Sequence, residues 1–347
     1  MIRRLLLLLA ILAITAASRP AAVQQSDLEV GIVDVYGLVH VSDEQVRAAL
    51  ALKEGDRVGL VSEAMFDAIM ESKRRLMALS SVADADLSPV CCAEGRLIVF
   101  AGIQEVGRPA LHFRAQPSGT VRLPDDVVAA GKAHWDAFSA AIQRGDTRED
   151  DSQGHALSDD PATRTIQLRF IAYAARDRQL LRRVLRESSD DADRALAAMV
   201  LGYVQDKQPV VNDLVSAMAD PSTNVRNNAM RALLVFSEMK PVAGQAGIRV
   251  PHEPFVAMLH SVVWTDRNKS CGALSQLTRR RDAALLDLLR RNELRSLVEM
   301  ARWKSAGHAE DALVILGRIA GRSDEDSRAA LAAGDRETII RAALARR

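Results

Sequence analysis

The sequence predicts a mostly α-helical protein, with an α+β module of βααββ order at the N-terminus and an all-α solenoid after it. Three observations predict this fold class. Strand-like and helix-like patterns alternate over residues 28–106, Ala and Leu recur at aligned positions further on, and Ala, Leu and Arg dominate while aromatic residues make up only 4% of the chain. The 347 residues, 48% of them hydrophobic, suffice for packed cores in more than one domain.

The charge balance and the first residues bear on partners and location. Lysine and arginine number 46 against 45 acidic residues, so we expect no nucleic-acid partner.

Residues 1–18 have the order of a secretory signal peptide: two arginines, an apolar run over 5–14, and small residues before a cleavage site after Ala17 or Ser18. An uncleaved anchor is the alternative, but the run is shorter than the roughly 20 residues that span a bilayer. We therefore expect an exported protein, periplasmic or extracellular, with no membrane span in the mature chain.

A spacer over residues 19–27 precedes the first module. A β-rich stretch runs over Val30–Val39, and Ser42 with Gln45 has the pattern of a capping box that begins a short helix. A second helix is predicted to begin near Ser62. Its apolar residues recur at helical spacing and form one stripe: Met65, Phe66, Ile69, Met70, Leu76 and Met77.

Two strands, 82–92 and 97–106, close this module around a turn at residues 93–95. The stretch 28–106, with "VDVYGLVHVSDEQVRAALALKEGDRV" and "RLIVFAGIQEV", resembles a POTRA domain, the polypeptide-transport-associated module of bacterial envelope proteins. The resemblance implies an exported protein-binding module that works by adding a partner strand to a sheet edge.

The three cysteines are Cys91, Cys92 and Cys271, so at least one thiol is left without a partner. The adjacent pair could close a vicinal disulfide. We favour the alternative, in which two small residues at a strand end face opposite sides. No CxxC motif occurs, so no zinc or redox site is predicted.

Residues 107–160 form the predicted connection. One helix is expected from Pro124 onwards, because the following acidic residues favour a helix N-terminus. Residues 145–160, rich in acidic residues, are interpreted as an exposed, protease-sensitive linker between two separable halves. They lack the spacing of a calcium loop.

From Asp160 and Pro161 the chain is predicted to be helical, and residues 161–347 form the second domain. Four segments align: 193–202, 225–234, 269–278 and 308–317. They share an alanine column, Ala197, Ala229, Ala273 and Ala312, and a leucine column, Leu201, Leu233, Leu277 and Leu316. Residues four apart lie on one helical face, so these columns predict buried layers between stacked helices. In the clearest unit Asp220 is expected to cap the helix.

The segment "DPSTNVRNNAMRALL" resembles a HEAT-type repeat, or the shorter variant of bilin-lyase-like repeat proteins, over about residues 176–321. The resemblance implies a right-handed solenoid that binds proteins, usually without catalysis. It carries over no catalytic residue.

Motifs for nucleotide, hydrolase or metal chemistry are not found, and the seven histidines are scattered along the sequence. We predict no catalytic residue, no cofactor and no metal site. The arginines at 279–281 with Arg290 and Arg291 form a basic patch. We interpret it as a solvated helix end, with an acidic partner or anionic lipid as the alternative.

Two tryptophans of the repeat region lie beside cations, an arrangement that favours recognition on a concave surface. The candidate partner-binding residues are Trp264, Arg267, Arg302, Trp303 and Lys304. For the tryptophans themselves we favour the other interpretation, in which Trp264 and Trp303 pack inside their own repeats.

These observations predict a non-enzymatic exported adaptor or scaffold that binds a protein or peptide through a sheet edge and a helical concave surface. An envelope enzyme, or an enzyme accessory, with its active site on the repeats is one alternative. A structural envelope spacer is the other. The oligomeric state and the partner stay open.

Overall fold

The computed structural model describes residues 27–59, 62–146, 148–239 and 247–346. The predicted signal peptide and all but the last residue of the spacer lie outside this range. None of the helices in the described part combines the length and apolar character that a bilayer crossing needs.

The N-terminal unit is a mixed sheet with two helices on one face. Its elements in chain order are β1 (Leu28–Tyr36), α1 (Asp43–Ala49), β2 (Arg57–Val58), α2 (Glu63–Met77), β3 (Val82–Ala93) and β4 (Arg96–Glu105). The strand order is β2-β1-β4-β3, with β1 parallel to β4 and β3 antiparallel to it. The βααββ order is confirmed, with the two-residue β2 added.

Local sequence signals explain how both helices of this unit begin. Ser42 accepts a hydrogen bond from the Gln45 amide while the Gln45 side chain accepts from the Ser42 amide, as the capping box requires. Ser62 likewise caps α2. The predicted apolar stripe of α2 is wrong in part, because Phe66, Met70 and Met77 are 42–62% exposed.

Strand β4 is the centre of the unit because both of its faces are covered. One face packs with Val33, Val46 and Leu76 in a core under α1 and α2. The opposite face, with Phe100 and Tyr36, belongs to the large core of the helical region. The two halves of the chain therefore share a core and are not joined only by a linker.

The connection contains α3 (Asp125–Gln143), β5 (Glu149–Asp150) and β6 (Leu157–Ser158). The prediction of an exposed linker is wrong for residues 154–158, which lie against the helices as part of a short hairpin, whereas residues 151–153 at its tip are exposed as predicted. Leu157 is buried, His155 lies 3.2 Å from the Lys207 ammonium, and the Tyr203 hydroxyl donates to the Ala156 carbonyl. Composition missed this because the hairpin has only one large apolar anchor.

The remainder is helical. The helices are α4 (Pro161–Glu187), α5 (Asp191–Leu201), α6 (Gln208–Ala217), α7 (Thr223–Glu238), α8 (Glu253–Met258), α9 (Trp264–Leu277), α10 (Ala283–Asn292), α11 (Leu294–Ala301), α12 (Ala306–Ile319), α13 (Asp324–Ala332) and α14 (Arg336–Leu344). The molecule is thus mostly α with an α+β start, as predicted.

The four aligned segments lie on α5, α7, α9 and α12, and these helices pack side by side in that order. All four residues of the alanine column are fully buried. Leu201, Leu233 and Leu316 are fully buried as well, as the leucine column predicts. Leu277 is only half-buried, and Leu274 fills the layer in its repeat instead.

Buried ion pairs connect neighbouring helices of this row. Arg194 makes a bidentate contact with Asp220 at 2.9 Å, and Arg226 contacts Asp266 at 2.9–3.1 Å. The prediction that Asp220 caps α7 is therefore wrong: Ser222 is the N-cap residue, and the Asp220 carboxylate is occupied by arginine.

Cys91 and Cys92 form a disulfide, so the prediction of two separate thiols is wrong. The pair lies where the pairing of β3 with β4 shifts register between Val90 and Ala93, so neighbouring side chains do not alternate regularly there. Cys271 is a buried free thiol.

Candidate functional site

The five candidate residues predicted from sequence come together at one place, the junction between the sheet and the helical region. Trp264, Arg267 and Trp303 are buried there, whereas Arg302 and Lys304 are about half exposed at the rim. The exposed concave surface that the two tryptophans were expected to form is not present, because the sheet of the same chain covers them.

The centre of the junction is aromatic. Phe100 of β4 stacks on Trp264 at a centroid distance of 4.9 Å and tilts against Trp303 at 5.0 Å. His308 meets Phe100 edge-on at 5.4 Å, and burial lowers the pKa of this histidine. Such aromatic pairs contribute about 0.5–1.5 kcal/mol each beyond the area they bury.

Polar contacts fix how the sheet sits on the helices. The Tyr36 hydroxyl donates to the Val262 carbonyl at 2.7 Å, and the Arg267 guanidinium lies over the Tyr36 ring. Arg267 also donates to the Glu299 carboxylate at 2.8 Å, which accepts from the Gly37 amide at 2.7 Å. Arg267 is therefore committed to contacts inside the chain.

Lys304 and Asp34 close the rim of the junction. The Asp34 carboxylate accepts from the Lys304 amide at 2.9 Å, while the Lys304 ammonium donates to Glu54. Burial raises the pKa of Asp34 despite this donor. The Lys304 ammonium lowers the pKa of Glu54.

An open groove runs beside this junction, and we call it the junction groove. Its volume is about 960 Å³. One wall comes from β1 and the loop after it, and the other from α10, α11 and α14. The lining residues are Asp34, Val35, Leu38, Asp43, Arg290, Arg291, Asn292, Leu294, Arg295, Val298, Glu299, Arg302, Trp303 and Leu344.

The β1 wall of the groove presents unpaired backbone. Strand β2 covers β1 only at Leu28 and Glu29. Val33 directs its backbone away from β4, since its amide donates to Glu54 and its carbonyl accepts from Arg47. Because backbone direction alternates with a period of two, Val35 directs its N–H and C=O the same way, into the groove. Within the described residues no side chain bonds to them.

The other edge of the sheet, on β3, is protected. Pro89 has no N–H, and its place in a paired strand requires that its nitrogen face away from β4. The Ala85 amide, on the same outward side, is bonded to the Asp84 carboxylate at 2.8 Å. This edge therefore offers few free donors, which is how natural sheets resist strand addition.

The rim of the groove on α10 and α11 is basic. Arg290 and Arg291 share the single carboxylate of Asp287, at 2.8 and 3.0 Å. Arg295 donates to the Leu38 carbonyl and has no carboxylate partner among the described residues. Of the predicted basic patch, only the arginines at 290 and 291 belong to this rim, because Arg281 instead pairs with Asp324 on α13.

A smaller cavity of about 140 Å³, which we call the polar crevice, lies next to the groove. The two share Leu38, Asn292, Arg295 and Glu299. The further lining residues of the polar crevice are Gly37, Val39, Ile103, Gln104, Glu105, Arg108, Pro109, His260, Arg267 and Ser296.

Titratable groups also gather on α7, α9 and the hairpin. Burial and the nearby Arg231, which pairs with Glu149, lower the pKa of Lys269 to about 8. Burial and the neighbouring Asp151 raise the pKa of Glu238 to about 8. Across the described ranges, no three His, Cys, Asp or Glu side chains are grouped in a way that could hold a metal ion.

Sequence reasoning missed the sheet face as the partner of the tryptophans, although a signal was present. Strand β4 reads "LIVFAGI" without polar alternation, and such runs are typical of strands buried on both faces. It also missed the buried arginines, although Arg194 and Arg226 stand at the same position, three residues before Ala197 and Ala229.

Comparison with known proteins adds no relative. No protein-family model matches the chain, and no curated protein is significantly similar to it in sequence.

Proposed function

We propose that the protein is an exported, non-enzymatic adaptor that binds an extended segment of a partner protein in the junction groove. The observation that carries this proposal is the backbone of Val35, whose N–H and C=O have no hydrogen-bond partner among the described residues and face apolar side chains and an arginine rim across an open groove. An extended peptide can satisfy such an N–H and C=O by adding a strand to β1, while side-chain contacts select the peptide.

The groove has suitable chemistry for such a segment. Leu38, Leu294, Val298 and Leu344 offer apolar contact, and Leu344 is 52% exposed. The arginines above them favour a segment with acidic residues. A strand added to β1 would thus be held by main-chain hydrogen bonds on one side and by side chains of α11 on the other.

We also propose that the N-terminal unit is POTRA-like and that the helical region is a HEAT-like solenoid. A POTRA-like unit is supported by the order of its strands and helices, and a HEAT-like solenoid by the row of α5, α7, α9 and α12. Export rests on the sequence of residues 1–18, and N-terminal sequencing of the mature protein, expected to begin at Ser18 or Arg19, tests it.

Site-specific photocrosslinking in the native envelope tests the binding proposal. A photoreactive residue at Leu294 should crosslink to a defined partner, whereas one at the exposed Leu168 of α4 should not. Val35→Pro removes the groove-facing donor and should abolish the crosslink. Val35→Ile keeps the donor and should retain it. Equal crosslinking by the proline and isoleucine variants would exclude strand addition to β1.

A further inference from the structure

The way in which the junction groove ends beyond Val35 indicates which part of a partner chain binds there. Beyond Val35, the end of β1 and the loop after it are held against α11: the Gly37 amide donates to Glu299, and Arg295 donates to the Leu38 carbonyl. Glu299 and Arg295 line both the groove and the polar crevice. A chain that lies along β1 meets these contacts and must end or turn away there.

The carboxylates of the polar crevice are already satisfied. Glu105 accepts hydrogen bonds from the amides of Val39, His40 and Val41 at 2.6–3.0 Å. Burial opposes its charge, but these donors outweigh burial and lower the pKa of Glu105. Glu299 is held by Arg267 and the Gly37 amide. Neither carboxylate has to be neutralised by a further cation.

Two arginines of the polar crevice have guanidinium N–H donors without a hydrogen-bond partner among the described residues. Arg108 is exposed, and its guanidinium has no hydrogen-bond partner in the described structure. Arg295 donates only to the Leu38 carbonyl, although a guanidinium has five N–H donors. Paired arginine donors are the groups that bind a carboxylate most specifically.

We propose that the polar crevice binds the C-terminal α-carboxylate of the partner polypeptide through Arg295 and Arg108. This inference rests on the proposed function and names its ligand as a free chain end. Since the crevice lies beyond the C-terminal end of β1, the bound segment runs parallel to β1. Asn292 and Ser296 line the same cavity and add neutral hydrogen-bonding groups.

The test uses the mature protein and a pool of random eight-residue peptides tethered by their N-termini, prepared once with a free C-terminal carboxylate and once with a C-terminal amide. We expect the free-acid pool to be retained at least about tenfold better, the effect of losing one charge-assisted hydrogen bond. Arg295→Gln and Arg108→Gln should remove the preference. Arg148→Gln, at an exposed arginine outside the groove, should keep it.

The outcomes separate the inference from the proposed function. If both pools bind equally and Val35→Pro abolishes binding, the adaptor function stands and the carboxylate site is excluded. If an amidated pool with aspartate at the last position binds as well as the free acid, the crevice recognises side-chain carboxylates and the inference is wrong. If Val35→Pro has no effect on either pool, the proposed function itself fails. Arg108 is exposed and not hydrogen-bonded through its side chain, so its variant remains interpretable if Arg295→Gln unfolds.

Discussion

Phe100 and Trp264 stack with their ring centroids 4.9 Å apart and their planes within 18° of parallel. One residue belongs to the sheet and the other begins the third helix of the aligned row. Their contact makes the N-terminal unit part of the wall of the junction groove. The candidate site therefore exists only while the sheet stays docked on the helices.

Docking is predicted to depend on Gly102. A Cβ atom at this position would lie 2.0 Å from the Val262 carbonyl oxygen and 2.6 Å from the Tyr36 hydroxyl. Gly102→Val should therefore displace the sheet and lower the free energy of unfolding by about 1–3 kcal/mol, as overpacking does. Tryptophan fluorescence should shift to the red as Trp264 and Trp303 become hydrated.

Gly307→Ala is the matched control, because a Cβ atom added at Gly307 would meet no other atom within 4 Å. An unchanged spectrum and unfolding midpoint in Gly102→Val would mean that the close backbone approach at Val262 does not hold the junction together.

Leu233 is predicted to be essential to the helix row. It is fully buried on α7 between neighbouring helices. Leu233→Ala should lower the free energy of unfolding by about 2–5 kcal/mol, through lost burial and the cavity left behind. Denaturant unfolding measures this. Leu168→Ala, at a position 48% exposed, should change it by no more than about 0.5 kcal/mol. Similar effects of both variants would contradict the assigned register.

The local elements could be predicted because their signals are contained in a few neighbouring residues. The capping box needs only Ser42 and Gln45, and the alanine column depends on spacing within single helices. The junction could not be predicted in the same way. Phe100 and Trp264 are far apart in the chain, and no local sequence pattern around either residue indicates that the two are in contact. The tryptophans were predicted either to bind a partner or to pack inside their own repeats, whereas in the structure they contact the chain's own sheet.

The groove was inaccessible to sequence reasoning for a related reason. Val35 is an ordinary strand residue, and only the sheet order shows that its backbone lacks a neighbouring strand. Arg295 lies outside the four aligned segments of the helical region. Its position beside Leu38 depends on how the sheet docks on the helices, and hydrophobic periodicity does not predict that docking.

The buried pair of Arg226 and Asp266 is predicted to be sensitive to the loss of one partner. Both side chains are almost completely buried, so Arg226→Met leaves the Asp266 carboxylate without its cation. The free energy of unfolding should fall by about 3–5 kcal/mol. Arg176→Met removes an exposed pair with Asp126 and should cost at most about 1 kcal/mol. Calorimetry of both variants checks the contrast, and equal losses would show that burial does not set the strength of the pair.

His134 is predicted to make the protein less stable in mild acid. Burial, with Arg231 nearby, lowers the pKa of this histidine from 6.5 to about 4. The unfolded chain therefore binds a proton between pH 6.5 and 4 that the folded chain does not, and the free energy of unfolding falls as the pH drops through this window. The full effect is about 3 kcal/mol, since each pKa unit corresponds to 1.36 kcal/mol.

His134→Phe should flatten this part of the pH profile, because a neutral ring then occupies the site beside Phe138 and Phe170 at every pH. His112→Phe, at an exposed position, should leave the slope unchanged. Unfolding by denaturant at half-unit steps from pH 7 to 4 measures the slope, and a wild-type slope retained in His134→Phe would assign the acid sensitivity to other groups.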